Sequence, residues 1–294
     1  MSHTQHKISV SGVTRVYTRR SSEGAESRFT ALENISLTVR AGEFLTIVGS
    51  SGCGKSTLLD LIAGLAAPTA GELFIDGKKI TGPALDRGIV MQGYALFPWR
   101  TVRRNVEFGL EIKKVPKKQR GAISDHFLQL VGLGGFADRY PYELSGGMKQ
   151  RVAIARALAY DPEVLLMDEP FAAVDAQTRE TLQDELLQIW EKTGKTIIFV
   201  THSIDEAVAL ADRVVVLSPN PGRVREIVPV PLERPRRVAD AQAAPEYSRI
   251  RHRVWELLQA GGEATGVQPE AAVSAYHRPE AAPAEERLPV SSVL

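Results

Sequence analysis

The spacing of hydrophobic and polar positions changes character several times along the chain. Residues 35–39 alternate apolar with polar side chains, and Phe44–Val48 is an almost continuous apolar run; both patterns predict strands, the second buried on both faces. After residues 49–54 the period switches: Leu58, Leu59, Ile62 and Leu65 recur at helical spacing, which gives the order strand, glycine-rich loop, helix. Short β-like runs follow at 72–75 and 88–91. Residues 102–159 are mainly helical in character, with breaks at Pro116, 132–135 and Pro141. Strand and helix patterns then alternate: a strand at 164–167, a helix at 177–190 with Leu182, Leu186, Ile189 and Trp190 on one face, a strand at 196–200, a helix at 204–210 and a strand at 214–217. Such alternation predicts βαβ units in an α/β fold with a predominantly parallel sheet. The helical block, about 93–160, reads as an insertion between two halves of that sheet.

Beyond residue 230 the composition shifts. PVPLERPRR predicts an extended linker, and residues 247–258 a short helix, so 231–260 reads as linker plus C-terminal helix. Residues 261–294 are rich in Ala, Glu, Pro and Gly with few large apolar side chains, a composition expected to stay disordered.

Composition narrows the class. The chain has 294 residues, 44% of them hydrophobic, enough for a folded domain of enzyme size. A formal net charge of +1 lacks the basic footprint of a dedicated nucleic-acid binder. One cysteine, Cys53, allows no internal disulfide and fits a reducing compartment. The N-terminus MSHTQHKISV has no signal-peptide pattern, and no apolar run approaches the roughly 18 residues of a membrane span. A soluble protein is expected; any membrane step belongs to another chain.

Two segments carry phosphate chemistry. GSSGCGKST, residues 49–57, fits the phosphate-loop pattern and has the confirming context of a strand before it and a helix after it. In that pattern the backbone N–H groups of Gly49, Ser50, Ser51, Gly52, Cys53 and Gly54 curl around phosphate oxygens, with the positive end of the helix behind them. Lys55 reaches the β- and γ-phosphates, Ser56 offers its hydroxyl to Mg²⁺, and Thr57 is a further phosphate contact. The electropositive surroundings would also favour a reactive Cys53 thiolate; a small, partly buried and unreactive residue is the competing reading. VLLMDEP, residues 164–170, is an apolar strand ending in two carboxylates. Asp168 is the candidate Mg²⁺ ligand and Glu169 the candidate general base. Pro170 is expected to hold Glu169 extended.

Between these segments lies LSGGMKQRVAIARAL, residues 144–158. Ser145, Gly146 and Gly147 stand before an amphipathic helix, which alone is an ordinary N-cap. Together with the phosphate loop and LLMDEP, in that order, the segment closely resembles the ABC transporter ATPases over about residues 8–230. The resemblance implies a phosphate-loop NTPase cassette with an N-terminal antiparallel β part and an inserted helical subdomain. It implies ATP and Mg²⁺ as cofactors and a second cassette, in a homodimer, whose Ser145, Gly146 and Gly147 cover the nucleotide held by the first.

Further residues match the family one by one. Gln92 corresponds to the glutamine that senses Mg²⁺ and touches the membrane partner. Asp175, in FAAVDA, corresponds to the aspartate that communicates across the dimer, although FAAV departs from the family's more usual residues. His202, in THSIDEA, corresponds to the γ-phosphate switch. Tyr17 is the candidate for stacking on adenine, with Phe29 as its competitor. Tyr94, Phe97 and Trp99 suggest an aromatic groove for a helix of the membrane subunit; packing within the helical block is the alternative.

The stand-alone cassette, FPWRTVRRNV, LSPNPGRVREIV and RIRHRVWELL resemble the nitrate, taurine and aliphatic sulfonate importers. That group implies separate integral membrane permease subunits, a separate solute-binding protein and a peripheral position on the cytoplasmic face of the inner membrane. Importers of thiamine precursors or riboflavin stay open, as does, less favoured, a soluble ABC ATPase outside transport. A non-enzymatic nucleotide sensor is disfavoured by Glu169 and His202.

Overall fold

The computed structural model describes residues 6–20 and 26–260; the tail expected to be disordered lies outside them. β1 (His6–Arg20) and β2 (Glu26–Arg40) pair antiparallel, with Ile8, Val10 and Val13 opposite Val39, Leu37 and Ile35. These six side chains are buried, so the half-buried alternation becomes one apolar face of a sheet. β3 (Phe44–Val48) leaves this sheet and is followed by α1 (Lys55–Ala63). β4 (Ala70–Ile75) returns to pair with β1, and β5 (Lys78–Lys79) completes the antiparallel order β2-β1-β4-β5.

β6 (Arg87–Val90) begins the second half. Three longer helices, α2 (Val102–Ile112), α3 (Lys117–Leu130) and α4 (Gly146–Ala159), then intervene before β7 (Val164–Asp168). β6 and β7 are nonetheless parallel neighbours, Val90 opposite Met167. The helical block therefore leaves and re-enters the sheet between adjacent strands. After α5 (Ala176–Thr193) come β8 (Thr196–Val200), α6 (Ile204–Leu210), β9 (Arg213–Ser218) and β10 (Arg223–Pro229). The second sheet has the order β10-β9-β3-β8-β7-β6, parallel except for β10. Its central strands are buried on both faces, with β3 and β8 fully so, which is why they read as unbroken apolar runs.

α7 (Val238–Ala243) and α8 (Pro245–Gln259) close the described chain. α8 matches the expected helix with three extra residues, two before and one after. The segment before α7 is extended yet anchored. Arg234 Nη2 donates to the Leu210 carbonyl at 2.6 Å, and Arg236 Nε to the Ala209 carbonyl at 3.0 Å. Two guanidinium groups thus satisfy the carbonyls left over at the end of α6.

Candidate functional site

Four neighbouring parallel strands, β3, β8, β7 and β6, bring their carboxyl ends to one edge of the sheet. Their register sets Ile47 opposite Val200, Val200 opposite Asp168, and Met167 opposite Val90. The segments that continue from these ends carry the phosphate loop, Asp168 with Glu169, His202 and Gln92. A crevice at the carboxyl ends of strands, where strand order reverses, is the general ligand position of open α/β sheets.

The loop itself is fixed by geometry. Gly54 precedes α1 with φ 91°, and a Cβ there would lie 2.5 Å from Leu32 Cδ2. Only glycine fits this left-handed, crowded position. It makes no side-chain cap bond to the helix, so the first-turn N–H groups stay free for an anion. Lys55 is buried, and its Nζ folds back over the loop, donating to the carbonyls of Gly49 at 2.9 Å and Ser50 at 3.2 Å. Ser50, Ser51, Gly52 and Thr57 complete the loop and the first turn.

Ser56 Oγ donates to Asp168 Oδ1 at 3.1 Å. Burial pushes the Asp168 carboxyl above its ordinary range; Ser56 and Lys55 oppose the shift, while Glu169 and Asp60 add to it. A carboxylate desolvated beside other carboxylates favours a cation. Among the described residues no cluster of three or more His, Cys, Asp or Glu could cage a metal by itself. The pair instead fits the sparse ligation of Mg²⁺, which takes one or two protein oxygens and completes its shell with phosphate and water.

Glu169 departs from expectation. Its φ is +43°, left-handed rather than extended. Two backbone bonds, one to the neighbouring strand and one within the turn, override the bias from Pro170: Glu169 N–H donates to the Val200 carbonyl at 3.0 Å, and its own carbonyl accepts from Ala172 N at 3.1 Å. A non-glycine residue in this region costs of order 1–3 kcal/mol and is held there by its surroundings. The side chain meets His202, whose Nδ1 is 3.2 Å from Oε2, and Gln92 Nε2 reaches the same oxygen at 3.5 Å.

Tyr17 lies opposite Phe29 on the β1–β2 ladder, two residues beyond the Arg15–Leu32 pair. Leu32 lies beside Gly54, so Tyr17 sits on the strand pair that borders the phosphate loop, two residues along β1 from the partner of Leu32. Tyr17 is 39% exposed, with the Arg15 guanidinium 4.5 Å above its ring; Phe29 is 52% exposed. Both aromatics remain available for stacking, and Tyr17 alone has a cation behind it.

The Ser145 segment lies elsewhere. Ser145 caps α4 by accepting from Met148 N at 3.3 Å. A Cβ on Gly146 would meet Tyr94 Oη and the Ala173 carbonyl, and one on Gly147 would meet Thr178. Among the described contacts none joins this segment to the phosphate loop. Asp175 caps α5 through Thr178 N at 3.0 Å, and that backbone bond holds its carboxyl below the usual range.

Cys53 is fully buried and its thiol is pushed up by burial, with the Lys55 charge opposing. The reactive reading therefore gives way to the buried one: the electropositive environment exists, but a thiol sealed from solvent gains little from it. Of the three aromatics expected in a groove, only Trp99 is strongly exposed, at 73%. Phe97 packs edge-on against Phe108 at 4.7 Å, and Tyr94 is packed against the core. A cleft of about 700 Å³ lies beside Trp99, lined by Arg104, Glu107, Lys117, Asp138 and Tyr140.

Sequence reasoning missed the residues that brace these loops. Asn105 is buried and bonds both the N–H and the carbonyl of Phe97, at 2.8 and 3.2 Å. Arg156 grips the carbonyls of Tyr94 and Ala95 at 2.9 and 2.6 Å. Their partners lie eight and about sixty residues away. A buried Asn in an amphipathic helix was the one available signal.

Residues 32–172 match the ABC transporter family. An uncharacterized ABC transporter ATP-binding protein of Methanocaldococcus jannaschii is 55% identical over 253 residues, 86% of this chain and 91% of that protein. A nitrate import ATP-binding protein of Synechocystis is 48% identical over 241 residues, 80% of this chain and 91% of that protein. Among solved structures, a dimeric ATP-binding cassette in a post-hydrolysis state with ADP and Pi superposes with a TM-score of 0.67 at 34% identity, covering 77% of this chain and all of that one.

Proposed function

From the premise that the chain belongs to the ABC transporter family as an ATP-hydrolysing cassette, we propose that it energises uptake of a small anion through a separate membrane permease. Nitrate, taurine or an aliphatic sulfonate is the cargo class; the nitrate import relative supports it. Residues 1–230 form the cassette in this reading, and 231–260 a linker and helix packed on it. The observation that carries the ATP-hydrolysing part of this reading is the convergence of Lys55, Ser56 with Asp168, and Glu169 with His202 and Gln92 at adjacent strand ends.

The loop N–H groups and Lys55 hold the β- and γ-phosphates, and Tyr17 stacks on adenine. Ser56 and Asp168, with Gln92 adjoining, would hold Mg²⁺, which would supply charge neutralisation on the phosphate oxygens. Glu169 accepts a proton from the attacking water, and His202 orients that carboxylate and contacts the γ-phosphate. Ser145, Gly146 and Gly147, remote from the phosphate loop of their own chain, act on the nucleotide of a second copy. Asp175 faces the same junction. The cleft beside Trp99 receives a permease helix at the cytoplasmic face of the membrane, and a separate solute-binding protein delivers the cargo outside. No helix among the described residues is long and apolar enough to cross a membrane.

The test is reconstitution in vesicles with a membrane permease that co-purifies with this chain. ATP-dependent uptake of labelled nitrate or taurine into vesicles is expected, abolished by Lys55→Ala. Hydrolysis without uptake of any small anion would overturn the cargo class; no hydrolysis at all would overturn the enzymatic reading.

A further inference from the structure

Glu206 is a buried carboxylate, 7% exposed, that no step above employs. It stands at the third position of α6, behind the cap residue Ser203. In the usual capping arrangement such a glutamate would reach back to the cap residue's own N–H. Here it does so through an intermediary. Glu206 Oε2 accepts the Thr201 hydroxyl at 2.5 Å, and Thr201 Oγ1 in turn accepts from Ser203 N at 3.0 Å. Ser203 Oγ accepts from Glu206 N at 3.3 Å. The three bonds close around the turn of residues 201–203, with His202 at its middle.

The other carboxylate oxygen points to α5. Gln183 Nε2 donates to Glu206 Oε1 at 3.1 Å, and Arg179 Nε is 3.8 Å from it. Arg179 also grips the carbonyl of Val174 at 2.9 Å, one residue before Asp175. A continuous set of polar contacts thus runs from the Asp175 turn to the His202 turn, and Glu206 is its only shared member. Leucine would fill the space without the cost of burying a charge, whereas a satisfied polar network specifies one arrangement.

We propose that Glu206 is a positioning residue for hydrolysis, clamping the turn that carries His202 and tying it to the start of α5 behind Asp175. The proposal rests on the reading of His202 and Asp175 given above. In a dimer, any shift of the Asp175 turn then reaches His202 through Arg179 and Glu206, so that seating of the second cassette and alignment of the histidine are coupled.

The experiment compares kcat, nucleotide affinity and thermal stability of the full chain in single and paired variants. Glu206→Gln keeps the shape, but its amide cannot accept from both Gln183 and Thr201. It should lower kcat by about 10- to 100-fold, the scale of a misplaced reacting group, with nucleotide affinity unchanged and thermal stability not reduced. Thr201→Val should do the same and Thr201→Ser should restore activity. Because Glu206 acts through His202, the pair Glu206→Gln with His202→Ala should be no slower than His202→Ala alone; Glu206→Gln with Asp175→Ala should likewise be less than multiplicative. A near-normal kcat for Glu206→Gln beside a slow His202→Ala, or fully multiplicative pairs, would overturn the proposal alone. A normal His202→Ala would overturn the reading of the site and the proposal with it.

Discussion

His202 Nδ1 lies 3.2 Å from Oε2 of Glu169, and the two residues come to this contact from adjacent parallel strands. The same oxygen is 3.5 Å from Gln92 Nε2. One carboxylate oxygen is therefore oriented from two sides, by segments that follow β8 and β6, while the left-handed backbone at Glu169 aims the side chain between them. The candidate base is thus held by its neighbours, the orientation that catalysis by a positioned group requires.

Replacing that base should separate binding from chemistry. Glu169→Gln should bind ATP with unchanged affinity, hydrolyse it roughly 10²- to 10⁴-fold more slowly, and accumulate an ATP-dependent dimer visible by size-exclusion chromatography. Turnover close to wild type would remove Glu169 from the mechanism.

What could be read from the sequence was what is contiguous in it. The phosphate loop, the 164–170 strand end and the central strands each announce themselves within ten residues, because buried parallel strands are apolar throughout and phosphate cradles need glycines in fixed order. The antiparallel pairing of β10 and the brief α7 were not foreseen: β10 alternates too weakly, and α7 spans only six residues. The bond network of Glu206 was out of reach for another reason. Its partners Gln183 and Thr201 belong to α5 and to the turn just after β8, and the tertiary fold makes the α5 partner a neighbour. The backbone of Glu169 departs from the local rule about residues before proline because one hydrogen bond to the distant Val200 and one turn bond from Ala172 outweigh it.

The separation of the Ser145 segment from the phosphate loop of its own chain predicts complementation. Lys55→Ala and Ser145→Arg chains should each fail to pair in ATP, whereas their mixture should form mixed dimers with one intact composite site. Light scattering or crosslinking of differently tagged chains reads this directly. Full hydrolysis by a preparation that stays monomeric at all concentrations contradicts the shared site.

Cys53 should be inert in the folded chain. It is fully buried, and burial raises its pKa despite the nearby Lys55, so the thiolate fraction is small and access is lacking. Maleimide should leave the native protein unlabelled and its ATPase activity intact, and should label it stoichiometrically in denaturant. Cys53→Ala should keep its activity while losing roughly 1 kcal/mol of stability through the void left behind. Rapid labelling of native protein with loss of activity would restore the reactive reading.

The C-terminal helix should be stabilised by a carboxylate next to the active turn, with a defined dependence on pH. Asp205, in the first turn of α6, accepts from Tyr247 Oη at 2.8 Å and from Arg251 Nε at 2.7 Å, both on α8. Partial burial raises its pKa, but the bonds from Arg251 and Tyr247 outweigh that and hold it below the ordinary 3.8. A carboxyl whose pKa is depressed by folding adds stability above its unfolded value, and that contribution fades as pH falls through the folded value. The ion pair is about half exposed, with relative side-chain accessibilities of 48% and 49%, so solvent screening limits it to a few tenths of a kcal/mol. The less exposed Tyr247 hydrogen bond brings the total to about 1 kcal/mol. Asp205→Asn should therefore unfold at lower denaturant concentration than wild type by a constant margin from pH 5 to 8. The margin should shrink once the pH drops below about 4, where Asp205 begins to take up its proton. Tyr247→Phe should show a smaller loss with the same trend, since Arg251 still holds the carboxylate. A margin that grows toward acid pH, or is absent at neutral pH, would mean that α8 is held without Asp205, by its apolar contacts at Tyr247, Val254 and Leu257 and by the Arg253–Glu226 pair.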